Sequence, residues 1–573
     1  MKQLINKKLK PWQTMLVSLL STCGILFIML IKCGVCFETN DDRIFSEIFS
    51  GVLTGKPDPH GIYVNYLLGS LIAALFSLTR SIQWWGVFLI LCFVMIFTVL
   101  LFVILHNCKN MFQQIWLWLL GCLIIVANVY IFSVIQFTTV AGVLAVAGYV
   151  YLLGDNTPAR KYMLFGIFEF FAILLRQESM LMIQPIGLCV VMGFLVIRFL
   201  EEKRSYKQCT VELVKCILVP IFVIVLAYIG NNVIGDYSSP EWQEYKRYNE
   251  LNVNMADYYG YPSIQDCKDI LDKYNVSEAE YRALTKYLVL DNKFEAGFLE
   301  ELSELAKNNY KQENPTSLIN IIKRILTYPK YDNCYGYEVS VTVMYTVVCL
   351  WILLSGKLRY ILPVITLCGS KNIVFAYLIY RGRVPHRVVN ILFVAELLLL
   401  VAIGVRVLWD TSNFKCGKKL KYIMGIVIVA AMLYSAKLGG TVAVQKNTNT
   451  MLYAEYIQQL FNYCAVSDGG ILISDEVITY YTGHALDVRR YQGRNFLVTG
   501  GWFSNSPMMD EAIATYRKEH PANMKCITFF DVSGWDNSYV LEYFEEKYNL
   551  KPDLVEIFSI EELGLNYAVY QLY

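Results

Sequence analysis

The chain has 573 residues and a mass of 65.8 kDa, with 56% hydrophobic residues, 17% charged residues and a mean hydropathy of +0.41. Soluble domains carry about a quarter charged residues, so a single soluble globular protein is excluded. Fifty basic side chains against 48 acidic ones leave a net charge of +2, without the basic excess of a nucleic-acid binder. Aromatic residues make up 14% of the chain, which suits broad membrane–water interfaces. The 16 cysteines are scattered, many inside apolar runs (Cys92, Cys122, Cys189, Cys349). The closest pair, Cys33 and Cys36, ends a hydrophobic run with no partner pair beside it, so neither a zinc site nor a disulfide framework is expected.

In chain order, eleven apolar runs approach the roughly 20 residues that a helix needs to cross a bilayer. They cover residues 15–37, 84–105, 115–135, 137–153, 162–175, 180–200, 216–234, 339–354, 360–380, 388–409 and 422–436. The first is too long, and lacks the small-residue cleavage site, to be a removed signal peptide, so it is expected to stay as an anchor. A twelfth stretch, 61–78, decides the topology. If it crossed, the basic connection 198–207 would face outward against the positive-inside rule. An interfacial helix there restores the parity. The N-terminus is then cytoplasmic, and two soluble pieces, 236–337 and 441–573, face outward.

The expected fold is therefore an α-helical polytopic membrane protein of about eleven spans plus an interfacial helix. A membrane module over 1–235 contains the first outer loop, 38–83. A helical insertion follows over 236–337, then further spans over 338–440. The insertion is rich in tyrosine near its start (Tyr245, Tyr248, Tyr258, Tyr259, Tyr261), a composition suited to interfacial anchoring or to stacking on a sugar. Residues 441–573 alternate patterns, with strands expected over 470–474, 495–499, 525–530, 555–559 and 566–572 and helices over 451–463, 508–519 and 538–548, which reads as a small α/β domain. Gly500-Gly501 reads as a tight turn, and no chemistry is assigned to this domain.

This topology gathers the unusual polar residues on the outer face: Glu38 to Arg43, Lys56 to His60, Gln136 with Thr138 and Thr139, Arg176 to Glu178, and Arg381 to Arg387. Asp41 and Asp42 open an amphipathic helical pattern. Asn40 could cap that helix with the acids favouring its positive end. A carboxylate there could also take a proton from an incoming hydroxyl or hold a divalent cation against a phosphate. Arg381, Arg383 and Arg387 stand where the positive-inside rule disfavours them; their forked donors suit a phosphate, and snorkelling to headgroups is the alternative. Arg176 and Glu178 interrupt an apolar stretch, as residues lining a cavity or as a local ion pair. Glu169 and Glu396 read as internal partners, and His60 as a helix-start residue or a functional imidazole.

Taken together, Asp41-Asp42 after the first span, the Pro-bearing segment 56–60 before an interfacial helix, the charged break at 176–178 and the outer soluble pieces resemble the GT-C superfamily of membrane glycosyltransferases. The likeness is to the mannosyl- and arabinosyltransferase-like branch that uses polyprenyl-phosphate sugars, and it covers about residues 1–235. The phrases ETNDDRIFSEIFSGVLTG, NYLLGSLIAALF and YRGRVPHRV are similar to a group of polytopic proteins of Firmicutes. The resemblance implies a bacterial cell-membrane enzyme with Asp41 or Asp42 as the catalytic acid, Lys56 near a donor phosphate and Arg176 as a basic residue after a later helix. It also implies a lipid-phosphate-linked sugar as donor, a cell-surface glycan or protein as acceptor, and no nucleic acid. Two features depart from the pattern: relatives often carry Asp-Glu where this chain has Asp-Asp, and an arginine where it has Gln83-Trp84-Trp85. A flippase for lipid-linked oligosaccharide would use the same arginines without needing a base. A scaffold would leave them without a role.

Overall fold

The computed structural model describes residues 8–154, 158–201, 205–286, 294–313, 317–331, 335–382, 384–410, 418–467, 470–474, 478, 481–488, 496–519, 524–529, 538–560 and 565–572. Among these, nine helices are long and apolar enough to cross a membrane, and the chain is a multi-pass membrane protein. Helix α1 (Pro11–Cys33) leads to a two-residue strand β1 (Cys36–Phe37), then to α2 (Asn40–Ser50) and α3 (Tyr66–Leu78). Next come α4 (Trp84–His106), α5 (Met111–Ala127), the short α6 (Val129–Ser133) and β2 (Val134–Ile135). The bundle continues through α7 (Phe137–Gly154), α8 (Pro158–Leu175), α9 (Gln177–Glu201) and α10 (Tyr206–Ile229). The most enclosed helix is α7, nearly every residue of which is buried.

The apolar run 115–135 is not one span. Its helix stops at Ala127, because Asn128 turns its amide back onto the carbonyl of Ile124, and the chain then extends so that Val134 and Ile135 pair in parallel with Cys36 and Phe37. The run 15–37 likewise ends as helix at Cys33, where Gly34 takes φ 72°. These two extended segments tie the first loop to the start of α7. In turn, α3 begins at Asn65, whose side chain caps Leu67 and whose amide reaches Leu174 at the end of α8. It ends at Thr79, which accepts the indole N–H of Trp84 at the start of α4. Both ends of α3 thus lie at one end of the bundle, and its 13 residues span only about 20 Å, short of a bilayer core.

The elements of the segment that follows α10 are helices: α11 (Pro240–Val253), α12 (Ile264–Lys273), α13 (Glu278–Thr285), α14 (Ala296–Glu313) and α15 (Leu318–Tyr331). Serines cap α11, α12 and α13. Leu251, Met255, Leu271, Tyr281, Phe298 and Leu302 form its own small core. Helices α16 (Tyr337–Ser355), α17 (Ile361–Tyr380) and α18 (His386–Asp410) return to the bundle. They share a buried network in which Glu396 accepts the Tyr345 hydroxyl and pairs with Lys371.

Helix α19 (Lys418–Val466) runs unbroken for 49 residues. The expected separate helix over 451–463 is its far part, so one rod links the last span to the C-terminal domain. Beyond it stand β3 (Gly470–Ser474), β4 (Phe496–Thr499), α20 (Pro507–Glu519), β5 (Met524–Phe529), α21 (Ser538–Tyr548), β6 (Pro552–Ile560) and β7 (Leu565–Leu572). The five strands form a mixed sheet in the order β4-β3-β5-β7-β6, with β3 parallel to both neighbours and β7 antiparallel to β5 and β6. The α/β reading of this region therefore holds, strand for strand. Cys33, Cys36, Cys92, Cys122 and the other cysteines whose side chains are described are free thiols.

Candidate functional site

The site forms where the first loop, the α8–α9 break, the helical insertion and the C-terminal domain meet. Thr39, in extended conformation, is the N-cap of α2, so the cap lies one residue before the expected Asn40. Asp41 and Asp42 then occupy the first turn, where the helix dipole favours acids. Successive helical residues point about 100° apart, and this separates the doublet. Asp42 turns inward and is fully buried. Its Oδ1 accepts the Trp85 indole N–H at 3.1 Å, and its two oxygens accept the backbone N–H of Phe137 at 3.3 and 3.4 Å. Burial, reinforced by the neighbouring Asp41, lifts its carboxyl well above the ordinary range despite these bonds.

Asp41 turns the other way and is only half-buried. Its Oδ1 accepts the indole N–H of Trp502 at 3.1 Å, and its Oδ2 a longer bond from the Thr39 hydroxyl at 3.4 Å. The Trp502 ring stands 5.2 Å from Tyr63 and 5.3 Å from Phe45. Tyr63 carries the Arg176 guanidinium over its face at 4.6 Å, and Phe137 lies 5.7 Å from the same cation. Arg176 ends α8, and its Nε pairs with Glu178 at 2.8 Å; Glu178 is 71% exposed and Arg176 22%. Acid, indole, phenol and guanidinium thus stand in sequence, and Tyr63 lies within the electrostatic reach of both Asp41 and Arg176.

A second cationic flank borders the same loop. Burial raises the carboxyl of Glu38, opposed by Lys446 of α19 and then by Arg387. The Lys446 ammonium also reaches the Glu38 carbonyl at 3.5 Å. The carbonyl of Arg387 accepts from the Thr139 hydroxyl, and the Gln136 Oε1 caps Thr139 N. Gln136 is fully buried, and its Nε2 has no partner among the described residues.

Among the described residues, the others singled out from the sequence make no hydrogen bond to Asp41. Lys56 is 63% exposed with its ammonium on Glu511 of α20 at 2.7 Å. The His60 imidazole bonds Asp58 at 2.7 Å and is boxed by Trp242, Tyr237 and Tyr66, the Trp242 ring stacking at 4.7 Å. That packing joins the Pro-bearing segment to the insertion. Arg381 is exposed, 5.5 Å from the Tyr258 ring of the insertion, and Arg383 lies outside the described residues. The two described arginines are therefore divided, Arg387 lying near Glu38 of the first loop and Arg381 by the insertion. Trp502 and Lys446 escaped the sequence reading. The first sits in a loop with no periodicity, and the second stands on the polar part of a long helix with no motif around it.

Among the described residues no three His, Cys, Asp or Glu side chains converge as a metal site requires. Asp42 turns its oxygens to Trp85 and Phe137 inside the bundle, whereas Asp41 turns to Trp502, so the two acids of the doublet face different neighbours.

No family model and no curated protein matches the chain. Among solved structures it is similar to ArnT from Cupriavidus metallidurans bound to undecaprenyl phosphate, at 11% identity and a TM-score of 0.35, over 96% of this chain and 97% of that one. The apo state of the same protein gives 10% identity, a TM-score of 0.35 and 97% coverage of both chains. No function follows from likeness of that degree.

Proposed function

We propose that the chain is a membrane glycosyltransferase that moves a sugar from a polyprenyl-phosphate donor to a hydroxyl acceptor at the outer face of a bacterial cell membrane. The observation that carries this reading is a half-buried carboxylate, Asp41, connected through the Trp502 and Tyr63 rings to the Arg176 guanidinium, at the junction of the apolar bundle and the exposed domains. A lipid-linked substrate has its reacting phosphate at that depth.

In this mechanism the acceptor oxygen attacks the anomeric carbon as the bond to the phosphate oxygen breaks, inverting the centre. Asp41 takes the hydroxyl proton. Arg176, with Arg387 and Lys446 on the second flank, stabilises the negative charge that grows on the departing lipid phosphate. Asp42 does not act as a base: it anchors α2 to the starts of α4 and α7. No step is routed through a metal.

The test is reconstitution of the purified protein in lipid nanodiscs with polyprenyl-phosphate mannose or arabinose and envelope glycan as acceptor. Sugar transfer that is lost in Asp41→Asn supports the reading. Movement of lipid-linked oligosaccharide across a vesicle bilayer, undiminished in Asp41→Asn and without sugar transfer, would assign the chain to the flippases instead.

A further inference from the structure

We infer that Trp502 is a positioning residue for Asp41, so that the C-terminal α/β domain completes the site of the membrane module. The inference rests on the glycosyltransferase reading above and gives the C-terminal domain a part in that reaction. Two observations support it independently. The first is the bond itself: the indole Nε1 of Trp502 lies 3.1 Å from Asp41 Oδ1, while among the described residues the other bond to that carboxylate is the longer one from Thr39. A base is useful only if its free lone pair is aimed, and a single strong donor on one oxygen leaves the other to face an incoming hydroxyl.

The second observation is how the indole is held. Gly500 and Gly501 take φ of 95° and 73°, a conformation that side-chain-bearing residues rarely adopt, and they turn the chain sharply after β4. Trp502 then lies against Phe45 of α2, Tyr63 of the first loop and Phe503. Its carbonyl accepts the Tyr245 hydroxyl of the insertion at 2.6 Å. The first loop therefore packs the ring, and the insertion holds the backbone that carries it. Packing alone would be met by any large aromatic residue and needs no N–H directed at an acid.

Trp502→Phe keeps a large ring and removes the donor. The expected result is a fall in kcat of roughly ten- to hundred-fold, the loss of one hydrogen bond to a charged group, with KM for donor and acceptor unchanged. Replacement of Trp502 by its benzothienyl isostere, which keeps the full bicyclic shape without the N–H, should give the same split and covers the case in which Trp502→Phe does not fold. Transfer by the unmodified protein together with an unaltered kcat in either variant would overturn the inference and leave the glycosyltransferase reading standing. A rise in KM at constant kcat would overturn it as well, since Trp502 would then be a binding platform. Absence of transfer by the unmodified protein overturns both.

Discussion

The carboxylate of Asp42 receives the backbone N–H of Phe137, the first residue of α7, so an acid of the first loop closes the positive end of the most enclosed helix in the bundle. The neighbouring Asp41 makes no such contact and meets Trp502 instead. Two adjacent, chemically identical residues thus have different surroundings.

Their substitutions should therefore diverge. Asp42→Asn keeps an oxygen for both Trp85 and Phe137 and removes a buried carboxylate, so it should fold normally and retain most of its transfer activity. Asp41→Asn should lose about 10²–10⁴ in kcat, the usual range for a missing general base. Turnover of the two variants, each checked by size-exclusion chromatography, decides the matter. Equal losses in both would return the doublet to a joint role.

The arginines should separate in the same way. Arg387 faces Glu38, whereas Arg381 rests against Tyr258 of the insertion. Lysine preserves charge but not the planar fork. Donor affinity should fall roughly ten- to hundred-fold in Arg387→Lys and stay unchanged in Arg381→Lys, measured by titration of the lipid-phosphate donor in nanodiscs.

A stability prediction concerns Lys371 and Glu396, both almost fully buried and 3.1 Å apart. Removing one member leaves a lone charge in an apolar bundle, so Glu396→Ala should cost about 3–5 kcal/mol. The double variant Lys371→Met with Glu396→Leu should recover most of that loss. Thermal unfolding in one detergent, for both variants side by side, provides the comparison.

Gly86 offers a test of how the C-terminal domain is seated. A Cβ at this position would lie 1.7 Å from the carbonyl oxygen of Ala485, which no rotamer can relieve. Gly86→Ala should cost about 1–3 kcal/mol through forced backbone displacement. Limited proteolysis should then cut the C-terminal region faster than in the parent protein. An unchanged cleavage rate would show that the contact is not needed to hold the domain.

Much of this architecture was legible in the sequence, for reasons that differ from place to place. The strands from Gly470 to Leu572 were found because apolar residues alternate between turn residues there. The break after Ala127 was hidden, because the short helix and the extended pair that follow it are buried on every side and as apolar as the helix before them. The inward turn of Asp42 was hidden as well, since it depends on Trp85 and Phe137, which reach it from other segments. Trp502 lies 461 positions from Asp41, and no local pattern in either neighbourhood announces the pair.

Helix α19 is 49 residues long, roughly 73 Å of unbroken rod, whereas a bilayer core takes only about 20 residues. Along its course it sets Lys446 beside Glu38, passes the Asn447 amide to the Ser133 carbonyl, and brings Thr450 to Thr482. Such a shaft transmits angle as well as height. One residue inserted between Thr450 and Val466 would wind everything beyond it through about 100° and lift it by about 1.5 Å. The sheet would then present a different edge to the bundle, and Trp502 would swing out of line with its acid. The spacing between bilayer and sheet is therefore written as a phase, in whole residues of one helix.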